Sequence, residues 1–169
     1  IKLVVSDEPR AKPNLPVMRT YSFRAEVAGY GTITVDFAMH ADTGGIAMDW
    51  AMAATPGVQI PIAGPGTIKM APADADWYLI AADMTGLPAA SCNLERLPPN
   101  AQGHAVFEIL SEADKQEFDL PSGMDVHWVI NPAPDEVKTM LLDAVKALPW
   151  HDGTPFVWTA CEFDTMRAL

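Results

Sequence analysis

The sequence is poor in cysteine and in basic residues. Cys92 and Cys161 are the only cysteines among 169 residues, too few for a disulfide framework. We expect both to be small buried residues in a reducing compartment, which indicates a cytoplasmic protein. Lys and Arg total 11 against 22 Asp and Glu, giving a formal net charge of −11. Nucleic-acid and anionic-membrane surfaces need clustered basic residues, so neither is an expected partner.

Long apolar runs and paired metal ligands are also missing from the sequence. No apolar run approaches the roughly 20 residues needed to span a bilayer, so no integral membrane contact is predicted. The four histidines show no close pairing along the sequence with each other or with cysteine, so no metal site is predicted. A hydrophobic content of 49% over this length fits one ordinary domain or two small, incomplete ones.

Both ends of the sequence resemble interrupted elements. Ile1 already lies in an apolar, β-prone run, and residues 165–169 resemble a helix that is just beginning. That end lacks the Gly, Asn or Pro that often follows a helix. A genuine N-terminus can open on a strand, but the two ends together favour a fragment or a chain trimmed to its ordered part.

A strand predicted over residues 17–24 carries Arg19, Thr20, Tyr21 and Ser22. Alternate side chains of a strand share a face, which places a guanidinium beside an aromatic ring. Arg binds phosphate through a planar fork, and an aromatic ring stacks on a planar heterocycle. The pattern therefore suits a flavin nucleotide. The alternative is an ordinary half-exposed strand with a surface Arg.

Two further patterns follow in the first half. Apolar residues alternate with polar ones over residues 33–39, which predicts a half-buried strand that ends with Asp36 and His40 on its polar face. Glycines then lead into a helix predicted over residues 46–53, whose free N–H groups favour phosphate binding, although a plain loop-to-helix junction is the alternative. Short strands are predicted over 58–62 and 67–70. Residues 1–70 are thus expected to form part of a small antiparallel barrel.

The second half alternates strands with helices. Strands are predicted over 77–82, 104–110, 126–130 and 155–160, and helices from Thr85 as N-cap to about Leu97, over 137–148, and from Glu162 onwards. This order predicts a mostly parallel sheet with right-handed crossovers, whose ligand crevice lies beyond the carboxyl ends of the strands. Asp83, Thr85, Cys161 and Glu162 follow such ends.

The order of these motifs resembles that of ferredoxin-reductase-like flavoproteins, and more closely that of the siderophore-interacting proteins, or ferric-siderophore reductases. The matching segments are RTYSFR (19–24), ITVDFAMH (33–40), the Gly-Gly stretch before Trp50, GPG (64–66), DWYLIAADMTGLPA (76–89), LLDAVKALPW (141–150) and FVWTACE (156–162). The resemblance implies a partial antiparallel β-barrel that binds FAD over residues 1–72, without its first strands. It also implies a partial α/β domain for NAD(P)H over residues 73–169, without its C-terminal part.

The resemblance further implies an activity. A noncovalent FAD would reduce ferric siderophores and release Fe(II), with NADPH, NADH or reduced ferredoxin as electron donor. The cofactor would supply the redox chemistry, so no residue of the chain is assigned a catalytic role and no protein ligand to iron is required. Two other hypotheses stay open: a siderophore-binding module without redox function, and a flavin oxidoreductase with another acceptor.

Site residues follow from the motif positions. Arg19 would hold the flavin pyrophosphate, Tyr21 would pack on the isoalloxazine, and Ser22 would lie near its reactive edge, with Thr20 between them. The remaining residues implied to bind FAD are Asp36, Phe37, His40 and the backbone of Gly45, Ile46 and Ala47. On the nicotinamide side they are Asp83, Thr85 and Glu162, for which helix capping is the alternative role.

Three positions depart from the family pattern. Ser22 replaces the usual Thr, which preserves a hydroxyl. Gly86 replaces a common Ala, which is expected to weaken the helix start by up to about 1 kcal/mol. Cys161 replaces the usual Gly, and its larger side chain is expected to obstruct nicotinamide entry.

Overall fold

The structure is a computed structural model that describes residues 1–6, 17–27, 31–39, 45–66 and 69–169. The chain divides into two compact units, Ile1–Ile68 (unit 1) and Lys69–Leu169 (unit 2), and each is described by itself. Among the described residues, none of the helices has the length and apolar character that crossing a bilayer requires.

Unit 1 is built from antiparallel strands and one helix. Its described elements are β1 (Lys2–Ser6), β2 (Val17–Thr20), β3 (Phe23–Val27), β4 (Thr32–Val35), α1 (Ile46–Ala53) and β5 (Ile62–Ala63). One sheet has the order β2-β1-β5, and β3 pairs with β4 in a second sheet. Both pairings of β1 and the pairing of β3 with β4 are antiparallel. The predicted antiparallel character of this half is confirmed.

The strand predicted over residues 17–24 is two strands. β2 ends at Thr20 and β3 begins at Phe23, and the two belong to different sheets. Tyr21 nevertheless continues the pairing with β1, because its N–H donates to the Ile1 carbonyl at 2.9 Å and its own carbonyl accepts from the Ile1 amino group at 2.9 Å. The chain therefore changes sheets at Ser22, which a uniform β-prone sequence did not indicate.

The other predictions for unit 1 are confirmed in part. The helix α1 has the predicted bounds. The strand β4 stops at Val35, so residues 36–39 continue without strand pairing, and most of residues 58–62 lie outside a strand. Of the strand predicted over 67–70, residues 67 and 68 lie outside the described residues, and 69–70 are not in a strand.

Unit 2 alternates strands with helices. Its elements are β6 (Trp77–Ala82), α2 (Leu87–Leu94), β7 (Gln102–Ile109), β8 (Gly123–Ile130), α3 (Met140–Lys146), β9 (Pro155–Ala160) and α4 (Phe163–Ala168), with a short 3₁₀ turn at Glu112–Asp114. The strands form one sheet of order β8-β7-β6-β9, and every pairing within it is parallel. The predicted parallel sheet is confirmed.

The core of unit 2 covers both faces of this sheet. Every residue of β6 is buried, as its continuous apolar sequence predicts for a strand covered on both sides. On one face, Ile80 and Phe107 pack with Leu94 of α2. On the other face, Ala81 and Val106 pack with Leu141 of α3. Such burial is the main favourable contribution to folding.

Two helices are shorter than predicted. α2 ends at Leu94 instead of Leu97, although Leu97 is buried as expected. α3 begins at Met140 instead of Val137, and this start is fixed by buried polar groups. The Glu108 carboxylate accepts from the Leu141 N–H at 3.0 Å, and the Asn131 amide donates to the Val137 carbonyl at 2.7 Å. These tertiary contacts hold residues 137–139 outside the helix.

Candidate functional site

The β1–β2 register places Arg19 and Tyr21 on one face of the sheet. Leu3 is paired with Arg19, and Ile1 exchanges backbone hydrogen bonds with Tyr21. Directly paired residues of antiparallel strands point to the same side. Leu3 is buried and Ile1 packs against the same small core, so the guanidinium and the phenol ring lie on the core-facing side. Thr20, on the opposite side, is exposed.

Aromatic rings extend from Tyr21 towards the helix. The Tyr21 and Phe37 ring centroids are 4.6 Å apart with planes inclined at 45°, and the Phe37 and Trp50 centroids are 6.3 Å apart. Tyr21 and Phe37 also pack against the core cluster that contains Ala47, in the first turn of α1. Tyr21 and the first turn of the glycine-led helix α1 therefore pack against the same core cluster.

Arg19 supplies positive charge beside the Tyr21 ring. Arg19 is half-buried and its Nη1 donates to the carbonyl of Met18 at 3.2 Å. Burial raises the pKa of Tyr21, and the nearby Arg19 charge lowers it by a smaller amount. The phenol is therefore neutral at physiological pH. A guanidinium beside a neutral aromatic ring fits a ligand that has both a negative group and a planar ring system.

The N-terminus of α1 is open. Gly45 occupies the N-cap position with an extended backbone and no side-chain capping hydrogen bond, while its carbonyl accepts from the Asp49 N–H at 2.8 Å. A Cβ built at Gly45 would meet nothing within 4 Å. Helix N-termini of this kind carry a partial positive charge and backbone donors, which suit phosphate. Arg19, the Tyr21–Phe37 pair and this helix start together fit the chemistry of a flavin dinucleotide.

The other residues predicted on this side are placed as follows. Ser22 and Asp36 are half-buried, and Ile46 is 39% exposed. His40 lies outside the described residues, so its predicted place beside Asp36 stays a prediction.

In unit 2, Asp83 joins two turns at the carboxyl edge of the sheet. Its Oδ1 accepts from the backbone N–H groups of Thr85 at 2.8 Å and Gly86 at 3.1 Å, and from the Thr85 hydroxyl at 2.6 Å. Its Oδ2 accepts from the Glu162 N–H at 2.8 Å. The prediction of Thr85 as the N-cap of α2 is wrong, since Gly86 holds that position and no side chain caps the helix. The Asp83 carboxylate instead bonds the two N–H groups that precede the helix.

The structure explains why residue 86 is glycine, which the sequence pattern did not reveal. A Cβ at this position would overlap the carbonyl oxygen of Ala160 and lie 2.7 Å from the Ala160 Cβ. The expectation that Gly86 merely weakens the helix start is therefore wrong for this chain. The glycine allows the end of β9 to approach the start of α2.

Glu162 and Cys161 follow β9 at the same edge. The Glu162 carboxylate caps α4, because its Oε2 accepts from the N–H of Asp164 at 2.8 Å and of Thr165 at 3.3 Å. Burial, reinforced by the negative charges of Asp83, Glu162 and Glu108, raises the pKa of the Cys161 thiol to about 11. The thiol therefore stays protonated, and the carboxylates of Asp83 and Glu162 hold the backbone turns of this edge.

Three histidines that are distant in sequence come together at the opposite edge of the sheet. His127 Nε2 lies 3.3 Å from His104 Nδ1, and His151 Nε2 lies 3.1 Å from His104 Nε2. The histidines are unpaired along the sequence, as described, and the fold brings these three together in space. Within the described part of the chain, no group of three or more His, Cys, Asp or Glu side chains is arranged to hold a metal ion.

The fold matches that of solved siderophore-interacting proteins. The siderophore-interacting protein SipS from Aeromonas hydrophila superimposes with a TM-score of 0.81 at 30% identity, covering 98% of this chain and 68% of that one. The antiparallel unit and the parallel-sheet unit define a ferredoxin-reductase-like fold, as the resemblance implied.

Two family models match consecutive parts of the chain. Residues 4–69 match the siderophore-interacting FAD-binding domain, and residues 75–169 match the siderophore-interacting protein model. The second match alone covers more than half of the chain. The chain belongs to the siderophore-interacting protein family.

Curated relatives include two proteins named as reductases. Ferric vibriobactin reductase ViuB of Vibrio cholerae is 31% identical over 138 residues, which are 82% of this chain and 50% of the relative. The NADPH-dependent ferric-chelate reductase of Escherichia coli is 30% identical over 140 residues, which are 81% of this chain and 52% of the relative. The chain thus spans about half the length of these relatives.

Proposed function

We propose that this chain is part of an FAD-dependent oxidoreductase that reduces ferric siderophores and releases Fe(II). NADPH, NADH or reduced ferredoxin would be the electron donor, and the activity would be cytoplasmic. In this proposal residues 1–72 form the FAD-binding domain and residues 73–169 the NAD(P)H-binding domain. The support comes from the match of residues 4–69 to an FAD-binding domain and from the relatives named as ferric reductases.

One structural observation carries the proposal furthest. The Tyr21 and Phe37 rings, 4.6 Å apart, pack against the cluster that includes Ala47 of α1, and Arg19 shares a sheet face with Tyr21. A cation, two rings and an open helix start are the groups that a ligand with a pyrophosphate and a planar ring would need. Unit 1 contains all of these groups at the end of β2, in the segment after β4 and at the start of α1.

The residues divide the task of holding FAD. Arg19 would pair with the pyrophosphate, the N–H groups at residues 45–47 would donate to phosphate oxygens, and Tyr21 would pack on the ring system. Ser22 would lie near the reactive edge, and residues 36–40 would line the remainder of the site. Thr20, whose side chain faces away from Arg19 and Tyr21, would contribute only its backbone. When bound, FAD supplies the chemistry, since flavins accept two electrons as hydride and pass them on singly.

For the nicotinamide side we propose Asp83, Thr85 and Glu162, acting through the turns that they hold. Their side-chain oxygens bond backbone N–H groups, which supports a role in shaping this edge. Ferric siderophore is the proposed substrate, and the protein's part is to orient the flavin and exclude water from it.

The test is a spectral titration of the purified chain with FAD, followed by anaerobic reduction. We expect a flavin absorbance spectrum that bleaches with NADPH or NADH and returns when a ferric siderophore is added, with Fe(II) trapped by a colorimetric chelator. A chain that stays colourless with FAD overturns the proposal. Siderophore binding without flavin-dependent bleaching would support the non-catalytic module instead, and reoxidation by other acceptors alone would support a different flavin oxidoreductase.

A further inference from the structure

The histidine cluster (His104, His127 and His151) lies within unit 2, at the edge of its sheet opposite Asp83 and Glu162, and is independent of the proposed function. His104 is 3% exposed on β7. Its ring stacks on the His151 ring at a centroid distance of 4.8 Å and an angle of 29°, and it meets the His127 ring at 5.3 Å. The cluster joins β7, β8 and the segment that follows α3.

The Pro149 carbonyl determines which ring nitrogens of the cluster carry a hydrogen. His104 Nε2 lies 3.1 Å from the Pro149 carbonyl oxygen, which can only accept, so this nitrogen carries the hydrogen. His151 Nε2, 3.1 Å from the same nitrogen, must then be unprotonated. His104 Nδ1 is the bare nitrogen of a neutral ring and accepts from His127 Nε2–H. The neutral rings thus form one ordered chain of donors and acceptors.

An additional proton disturbs this hydrogen-bonded network to a different extent at each ring nitrogen. A proton on His127 Nδ1 leaves its contact with His104 intact. A proton on His151 Nε2 faces the N–H of His104, and a proton on His104 Nδ1 faces the N–H of His127. In both cases two donors meet at about hydrogen-bond distance and one ring becomes a cation, which is unfavourable in a buried setting.

The groups that face His104 oppose its protonation on balance. Burial lowers the pKa of His104, and the charges of His151 and His127 lower it further. The bond to the Pro149 carbonyl and the charge of Asp125 on β8 act in the opposite direction. From β6, Trp77 contributes an uncharged ring at 6.4 Å. Asp76, beside Trp77, is engaged with the Thr154 N–H at 2.7 Å.

We propose that the histidine cluster is an acid-sensitive tertiary contact. It holds Pro149, Trp150 and His151 on the sheet while its rings are neutral and releases them on protonation. Trp150 packs edge-on against Trp77 at 4.7 Å, and the His151 ring lies 5.3 Å from Trp77. Trp77 is 1% exposed, so release of this segment uncovers a buried indole. The end of α3, three residues before Pro149, loses its anchor at the same time.

The direction of the pH effect follows from linkage. An unfolded histidine titrates near pH 6.5, and the folded pKa of His104 lies lower. Between the two values the unfolded chain binds more protons, so stability rises with pH. The contribution of His104 is therefore fully present above about pH 6.5 and is lost as the pH falls towards the folded pKa.

The experiment uses the whole chain between about pH 8 and about pH 5. Ring ¹⁵N NMR at the upper pH is expected to show the Nε2–H tautomer for His104 and the Nδ1–H tautomer for His151. On acidification, tryptophan emission should change and the unfolding temperature of unit 2 should fall, both beginning below about pH 6.5. The emission change should persist in Trp150→Phe, because that variant keeps Trp77, the buried indole that release uncovers.

Two variants separate titration from general destabilisation. His151→Gln keeps an acceptor for His104 but cannot be charged, so it should at least halve the acid-induced drop in unfolding temperature. Val106→Ala, a buried neighbour on the same face of β7, should lower the unfolding temperature at every pH and leave the drop unchanged. An undiminished drop in His151→Gln overturns the proposal, and so does a His104 ring protonated at Nδ1 at the upper pH.

Discussion

Among the residues that the structure describes, the two units differ in how much core they build. Unit 2 buries apolar side chains on both faces of its sheet, whereas the buried cluster described in unit 1 consists of Leu3, Val5 and Ala47. Because apolar burial is the main favourable contribution to folding, unit 2 supplies most of its own stability. The described part of unit 1 buries fewer apolar side chains, and a ligand bound to its folded form would stabilise it by mass action.

The units differ in charge as well. Residues 69–169 include 16 acidic and 6 basic residues, a net charge of −10, whereas residues 1–68 include 6 acidic and 5 basic residues, a net charge of −1. The chain therefore concentrates its negative charge in the unit with the larger core. An anionic cofactor such as FAD meets less repulsion in unit 1, where Arg19 lies beside Tyr21.

The largest expected effect tests the difference in cores with a matched pair of variants. Leu94→Ala in α2 removes a side chain that is 0% exposed and should destabilise unit 2 by about 2–5 kcal/mol. Leu3→Ala in β1 should cost less, near the lower end of that range, because a thin core can collapse around the change. Chemical denaturation with a separate probe for each unit measures both, and equal losses would contradict the comparison.

The next effect tests whether unit 1 binds FAD through Arg19. Arg19→Met should weaken FAD binding about 10- to 100-fold, because it removes a charge-assisted contact to phosphate. Lys2→Met is the matched control, since Lys2 is exposed and paired with Thr20, on the side opposite Arg19. Titration of each variant with FAD gives the affinities. Similar losses of FAD affinity in both variants would show that Arg19 contributes only through the overall charge of unit 1.

A third variant tests the close approach of β9 to α2. Gly86→Ala should destabilise unit 2 by about 1–3 kcal/mol, because the new methyl group overlaps the Ala160 carbonyl. Gly66→Ala makes the same chemical change in unit 1 where nothing lies within 4 Å of the added carbon, and it should leave stability almost unchanged. Thermal unfolding distinguishes the two, and a stabilised Gly86→Ala chain would contradict the geometry.

The smallest expected effect concerns the Asp83 carboxylate. Asp83→Asn retains one acceptor for the Thr85 and Gly86 N–H groups but places an amide against the Glu162 N–H. We expect a loss of about 1–2 kcal/mol in the stability of unit 2. Hydrogen exchange of the Glu162 amide should accelerate more than that of residues in β7, and uniform acceleration would show that the effect is not local.

The sequence was sufficient for elements that its own local pattern defines. The continuous apolar run of β6 predicted a strand buried on both faces, and the glycines and helix formers around α1 predicted its bounds. The alternation of strands and helices predicted the parallel sheet, and with it the meeting of Asp83 and Glu162 at one edge. These features depend on neighbours in the chain or on general rules of topology.

Features that depend on distant residues were not predictable in this way. The requirement for glycine at residue 86 comes from Ala160, which is 74 positions away in the sequence. The shortened start of α3 comes from Glu108 and Asn131, and the histidine cluster from the register of β7 with β8. In each case a tertiary contact prevailed over the local pattern.

The Asp83 carboxylate has a consequence for any molecule that arrives at the carboxyl edge of the sheet. Its Oδ1 bonds the loop after β6 and its Oδ2 bonds the loop after β9, so both loops are already ordered before a ligand binds. Much of the entropy that flexible loops would lose on association is already lost in the free chain. Preorganisation of this edge would therefore favour fast and reversible binding of the nicotinamide donor that the proposed function places there.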